Sequence, residues 1–88
     1  MKVIKIGADW CPECLIMKPR WAEIERELAW LETEFVDLDK NPEVKKERKI
    51  DHVPTFIFLD NQGNEFERMQ GIIEKNDLID FLNQNKDR

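Results

Sequence analysis

The stretch Trp10-Cys11-Pro12-Glu13-Cys14 holds both cysteines of the chain, and it directly follows the apolar, β-branched run around Val3, Ile4 and Ile6. Two cysteines so spaced, between a strand and the start of a helix, lie on one helical turn and can close into a small disulfide and reopen. With Cys11 as the N-cap and Pro12 as the first helical residue, the free amides of the first turn face the Cys11 sulfur. The positive end of the helix dipole does the same, and both favour the thiolate, the nucleophilic form. A zinc site would need two more soft or imidazole ligands, and the chain has a single histidine, His52, so it would require carboxylates or a second copy. A structural staple is the other use, but a ring of four residues removes little entropy from the unfolded chain. Reversible dithiol chemistry is the expectation.

The 88 residues suffice for one small domain, residues 1–88, with a modest core. Hydrophobic residues make up 41% and charged residues 38%, the composition of a soluble, heavily charged globule. No window approaches the roughly eighteen apolar residues of a membrane span. The first six residues run straight into the strand and the cysteine pair, with no leader pattern, so a cytoplasmic location and a monomer are expected. A net charge of −5 offers no counter-charge to nucleic acid or to an anionic membrane, and neither is expected as a partner.

Working outward from the motif, Lys2 to Gly7 reads as a central strand. A helix is expected from Pro12 to about Trp30, with Leu15, Met17, Trp21, Ile24, Leu28 and Leu31 on its inner stripe and a bend at Pro19. Glu34 to Asp39 follows as a strand, parallel to the first through a right-handed crossover. Asn41 should cap a short helix with Pro42 at its first position, ending near Lys49. Phe56 to Leu59 reads as a strand buried on both faces, and Asp60-Asn61-Gln62-Gly63 as a turn. Asn64 to Met69 returns as an antiparallel edge strand broken by Gly71. Glu74 to about Gln84 forms the last helix, with Leu78, Ile79, Phe81 and Leu82 facing inward, and the tail after it is expected to fray.

Taken together, the chain resembles a compact member of the thioredoxin superfamily. The resemblance rests on the element order β-α-β-α-β-β-α and on four features: Trp10 ahead of Cys11, Pro19 five residues past Cys14, Val53-Pro54-Thr55 at a strand start, and Gly71 before the last helix. It implies an α/β fold with a four-stranded mixed sheet, order 2-1-3-4, and three helices, lacking the N-terminal strand and helix of full-length thioredoxins. It further implies that Cys11 attacks, that Cys14 resolves, and that Pro54 is a cis-proline lying against the dithiol. Trp10, Val53, Pro54 and Gly71 would then contact substrate, although Trp10 also suits plain packing.

The chain departs from that family at several places. Pro12-Glu13 stands between the cysteines in place of Gly-Pro, and the Gly-Gly signature of glutaredoxins is missing at Gly71. Lys5 occupies the position of a buried aspartate, and Phe35 that of a lysine. Lys5, Glu13 and His52 are candidates for tuning the thiols. Lys5 either snorkels to solvent or approaches the dithiol, and His52 either exchanges protons near the site or is a solvated loop residue. The expected activity is thiol–disulfide exchange on protein disulfides. No bound cofactor is expected beyond the redox-active disulfide, and the resemblance implies that electrons come from a separate flavoprotein reductase. A non-catalytic dithiol carrier and a glutathione-dependent, glutaredoxin-like reductase are the alternatives.

Overall fold

The computed structural model describes residues 1–88. Four strands and three helices follow one another as β1 (Lys2–Gly7), α1 (Pro12–Glu27), β2 (Glu32–Asp37), α2 (Glu43–Glu47), β3 (Thr55–Leu59), β4 (Glu65–Gln70) and α3 (Lys75–Gln84). The sheet order is β2-β1-β3-β4, the mixed α/β arrangement expected from the sequence. β1 runs parallel to β2 and antiparallel to β3, and β3 pairs antiparallel with β4. β1 therefore lies inside the sheet, and its C-terminal end delivers the chain directly to Cys11.

Alternation along the two inner strands divides the core. Val3, Phe56 and Phe58 face α1 and α3, where they pack with Met17, Trp21 and Leu78. Ile4, Ile6, Ile57 and Leu59 face the opposite side, where Ile50 and Val44 cover them. Every residue of β3 is buried, as its continuous apolar run required. Phe58 meets Phe81 edge-on at a centroid distance of 4.9 Å, an arrangement that aromatic quadrupoles favour and that fastens α3 to the sheet.

Several boundaries differ from the sequence reading. α1 ends at Glu27, not near Trp30: Leu28 leaves helical geometry at φ −112°, ψ 79°, and Leu31 closes a turn onto the Leu28 carbonyl. Leu28, Trp30 and Leu31 still pack on the core from that turn, so their apolar character extended the helical pattern without extending the helix. Leu15 does not join the inner stripe. At about 100° per residue it stands roughly 200° around the helix from Met17, and it is exposed. β2 begins two residues earlier than expected, and Pro42 rather than Asn41 is the N-cap of α2. The tail is tied down: Arg88 Nε donates to Asn85 Oδ1 at 2.8 Å, and its guanidinium lies 4.6 Å from the Phe66 ring centroid. No helix is long and apolar enough to cross a membrane.

Candidate active site

Cys11 adopts extended backbone geometry, φ −91° and ψ 112°, and serves as the N-cap of α1, with Pro12 at the first helical position, where its missing N–H leaves no bond unmade. The Cys14 backbone N–H donates to Cys11 Sγ at 3.2 Å, so the sulfur takes the part that a serine oxygen usually plays in a cap. A negative sulfur at that point is held by an N–H and by the helix dipole together. The Cys11 thiol in turn donates to the Val53 carbonyl at 3.6 Å.

Cys14 is held differently. Burial first, then its hydrogen bond with Cys11 and the nearby charges of Cys11 and Glu13, push its thiol up to about 12. The Ala8 backbone opposes this without reversing it. Cys14 is thus a thiol at neutral pH. The exposures run the other way: Cys11 is only 3% exposed, whereas Cys14 is partly open.

Three separate segments converge on this helix start. The Val53–Pro54 peptide is cis and sets the Val53 carbonyl against Cys11. The Gly71 N–H donates to the Pro54 carbonyl at 3.0 Å, which joins the end of β4 to the same loop. Gly71 has φ +81°, a conformation suited to glycine, and a Cβ there would lie 3.9 Å from Glu13 Oε1. Trp10 is 65% exposed, and its Nε1 donates to Asp39 Oδ2 at 2.9 Å. Of the two roles open to it, packing in the core is therefore set aside. His52 is exposed and contributes its backbone carbonyl to Thr55 Oγ1 at 2.5 Å, as a solvated loop residue would.

Lys5 faces the α1 side of the sheet and lines the same cavity as Cys14, yet its ammonium is engaged by Glu25 of α1 at 2.6 Å. Four residues of the site lay outside the sequence reading: Glu25, Asp39, Leu15 as an exposed residue, and Gly7. A Cβ on Gly7 would meet Cys14 Sγ at 3.1 Å, a contact tight enough that the sulfur would have to give way, so glycine suits the strand end beside it. A glycine closing a strand beside a functional motif was a usable signal of such close approach. The ion-pair partner of Lys5 had no signal at all. No cluster of three His, Cys, Asp or Glu side chains gathers in the chain.

Comparison with known proteins agrees with this geometry. The family model for Thioredoxin matches residues 1–84. Thioredoxin of Rickettsia bellii is 29% identical over 84 residues, an alignment that covers 94% of this chain and 79% of that protein. Thioredoxin H5 of Arabidopsis thaliana is 33% identical over 69 residues, covering 78% of this chain and 58% of that protein. Among solved structures, thioredoxin-2 of the malaria parasite superposes with a TM-score of 0.88 at 25% identity, covering 94% of this chain and 81% of that one. Matched by the family model over nearly its whole length, and carrying its cysteine pair at a helix start beyond a central strand, this chain belongs to the thioredoxin family of thiol–disulfide oxidoreductases.

Proposed function

We propose that this chain, acting as a single monomeric domain in a reducing, cytoplasmic setting, reduces protein disulfides with Cys11 as nucleophile and Cys14 as resolving thiol. One observation carries the assignment: Cys11 Sγ receives an N–H at the helix start, whereas the Cys14 thiol is pushed up to about 12. The first sulfur is the one that a backbone N–H and the positive end of the helix dipole address, the geometry that steadies a negative sulfur.

The Cys11 thiolate attacks one sulfur of the substrate disulfide, and the other leaves as a thiolate, which takes up a proton. Cys14 then loses its proton and attacks Cys11 Sγ in the mixed disulfide, which expels the second substrate thiol and leaves a Cys11–Cys14 disulfide. Two electrons pass from the dithiol to the substrate. They are returned by a separate reductase, for which a flavoprotein is the leading choice and glutathione the alternative. No prosthetic group enters either step.

The greater burial of Cys11 bears on the first step. Its thiol donates to the Val53 carbonyl, and deprotonation removes the donated proton and sets a negative sulfur against that oxygen. Ionisation therefore favours release of the sulfur from Val53 at the moment when it becomes nucleophilic. Trp10, Pro54 and Gly71 frame the approach of the substrate, and Glu13 adds negative charge beside Cys14.

Trapping decides the roles. Cys14→Ser is expected to accumulate a covalent adduct of a disulfide substrate through Cys11, identified by mass spectrometry of the digested complex, while Cys11→Ser forms little. Equal trapping through Cys14 in the Cys11→Ser protein would reverse the order of attack, and a reduced wild-type protein that opens no protein disulfide would leave a carrier role.

A further inference from the structure

We infer that a second subsite beside Cys14, walled by Leu15 and Phe35, seats a large apolar side chain of the substrate segment next to its disulfide. The inference rests on the proposed oxidoreductase function and names a feature of the substrates selected by the same site.

Leu15 and Phe35 are 61% and 57% exposed, two of only five large hydrophobic side chains left open to solvent on a surface rich in charge. Neither exposure is a by-product of packing. Leu15 projects away from the stripe of α1 that meets the sheet. Phe35 pairs with Lys5 across the parallel strands and so stands on the α1 side of an edge strand. An exposed leucine and phenylalanine brought together at a functional site mark a surface that is covered in use.

Both residues line an open cavity of about 260 Å³ that reaches Cys14, with Trp21 and Phe56 among its other walls. A dry cavity of about 150 Å³ accommodates benzene, so this one has room for a Leu, Met or Phe side chain. Its position relative to the chemistry is fixed through Gly7, where one Cβ would lie 3.1 Å from Cys14 Sγ and 3.4 Å from Phe35 Cε1. The phenyl edge and the resolving sulfur thus lie over the same backbone point. A strand-like substrate advances about 3.3 Å per residue, so a side chain one or two residues from the substrate cysteine reaches the cavity.

Charge does not define the occupant. Lys18 and Asp9 stand on the rim with opposite signs, and Lys5 is already paired with Glu25. Selection is therefore by apolarity: a Leu or Phe side chain gains by leaving water, whereas a Lys or Asp side chain would lose hydration between Leu15 and Phe35 without gaining a partner.

The test uses the full chain, reduced beforehand, and short peptide disulfides identical except for Leu, Ser or Lys two residues from the cysteine. The second-order rate of oxidation of the protein is followed by quenching and chromatography. The Leu peptide is expected to react about tenfold faster than the Ser peptide, the size of a partly buried leucine side chain converted to a rate ratio. That ratio should fall towards one in Leu15→Ser and in Phe35→Ser. Because both residues are exposed, the urea midpoints of the variants should match the parent, which separates loss of the subsite from loss of the fold. A wild-type ratio near one, or a tenfold ratio that survives both substitutions, overturns the subsite while leaving the oxidoreductase intact. No reaction with any of the peptides overturns the oxidoreductase reading and the subsite with it.

Discussion

Lys5 Nζ lies 2.6 Å from Glu25 Oε2, which joins the middle of β1 to the last turn of α1 across the face that carries the dithiol. The two side chains keep 17% and 33% of their exposure, so the pair is neither free in solvent nor sealed from it. Lys5 therefore resolves its two options by pairing: its charge ends on a carboxylate near the surface while its stem, with the ammonium 6.0 Å from the Trp21 ring centroid, stays against the core.

Removing one partner of such a pair is not equivalent to removing the other. Glu25→Gln leaves the less exposed ammonium without its counter-charge and should cost about 1–2 kcal/mol in a urea melt. Lys5→Met replaces the stem by an apolar chain of similar length and leaves a carboxylate that can turn to water, so it should cost less than Glu25→Gln. Because the ammonium is held by Glu25, Lys5→Met should also leave the exchange rate at neutral pH unchanged. A slowed exchange in a folded Lys5→Met protein would show that the ammonium acts on the dithiol in spite of Glu25.

The second prediction concerns Gly7. Closing the Cys11–Cys14 disulfide brings the two sulfurs to about 2.05 Å, which requires Cys14 Sγ to swing freely towards Cys11. A methyl group on Gly7 would press on that sulfur from 3.1 Å, and its three nearest neighbours belong to Cys14 and Phe35 and not to Cys11. Gly7→Ala should therefore lengthen the life of the mixed disulfide more than it slows its formation, as read by rapid quenching and mass spectrometry. Equal lifetimes in the two proteins would mean that Cys14 moves aside at no cost to the second step.

Much of this was legible in the residues, for physical reasons that can be named. Phe56 to Leu59 gave its strand away because a strand buried on both faces must be apolar throughout, and Val3, Ile4 and Ile6 gave away theirs by their β-branched side chains. The cysteine pair announced its helix start because Pro12 fits only the first turn there. Spacing along one element was readable too, and Leu15 was misplaced only because apolarity was weighed above its angle from Met17. What the sequence withheld were contacts between distant segments. Glu25 is twenty residues from Lys5, and Asp39 is twenty-nine from Trp10. Neither pair shares an element or a periodic relation, so nothing local could join them. The relative burial of Cys11 and Cys14 was likewise hidden, because it depends on how the Val53–Pro54 loop closes over the helix start.

The last prediction follows from Cys14, whose thiol rises from an ordinary value of 9.0 to about 12 in the folded, reduced protein. The folded state then holds the proton more tightly than the unfolded chain. Below pH 9 both states carry it, and the full stabilisation is present. Between 9 and 12 the unfolded chain has released its proton while the folded one keeps it, so the unfolded state binds fewer protons and stability falls as pH rises. Lys2 and Lys75 add losses of the same sign, but only above their ordinary value of 10.5, because Glu34 and Glu27 raise them further. The interval between pH 9 and 10.5 therefore belongs to Cys14 among these groups. In urea melts across that interval, the reduced protein should lose stability with a clear slope, and Cys14→Ser should flatten it. The oxidised protein, whose Cys14 has no proton to release, should be flat as well. A slope of the same size in all three would place the titrating group elsewhere and remove the asymmetry on which the assignment of the two thiols depends.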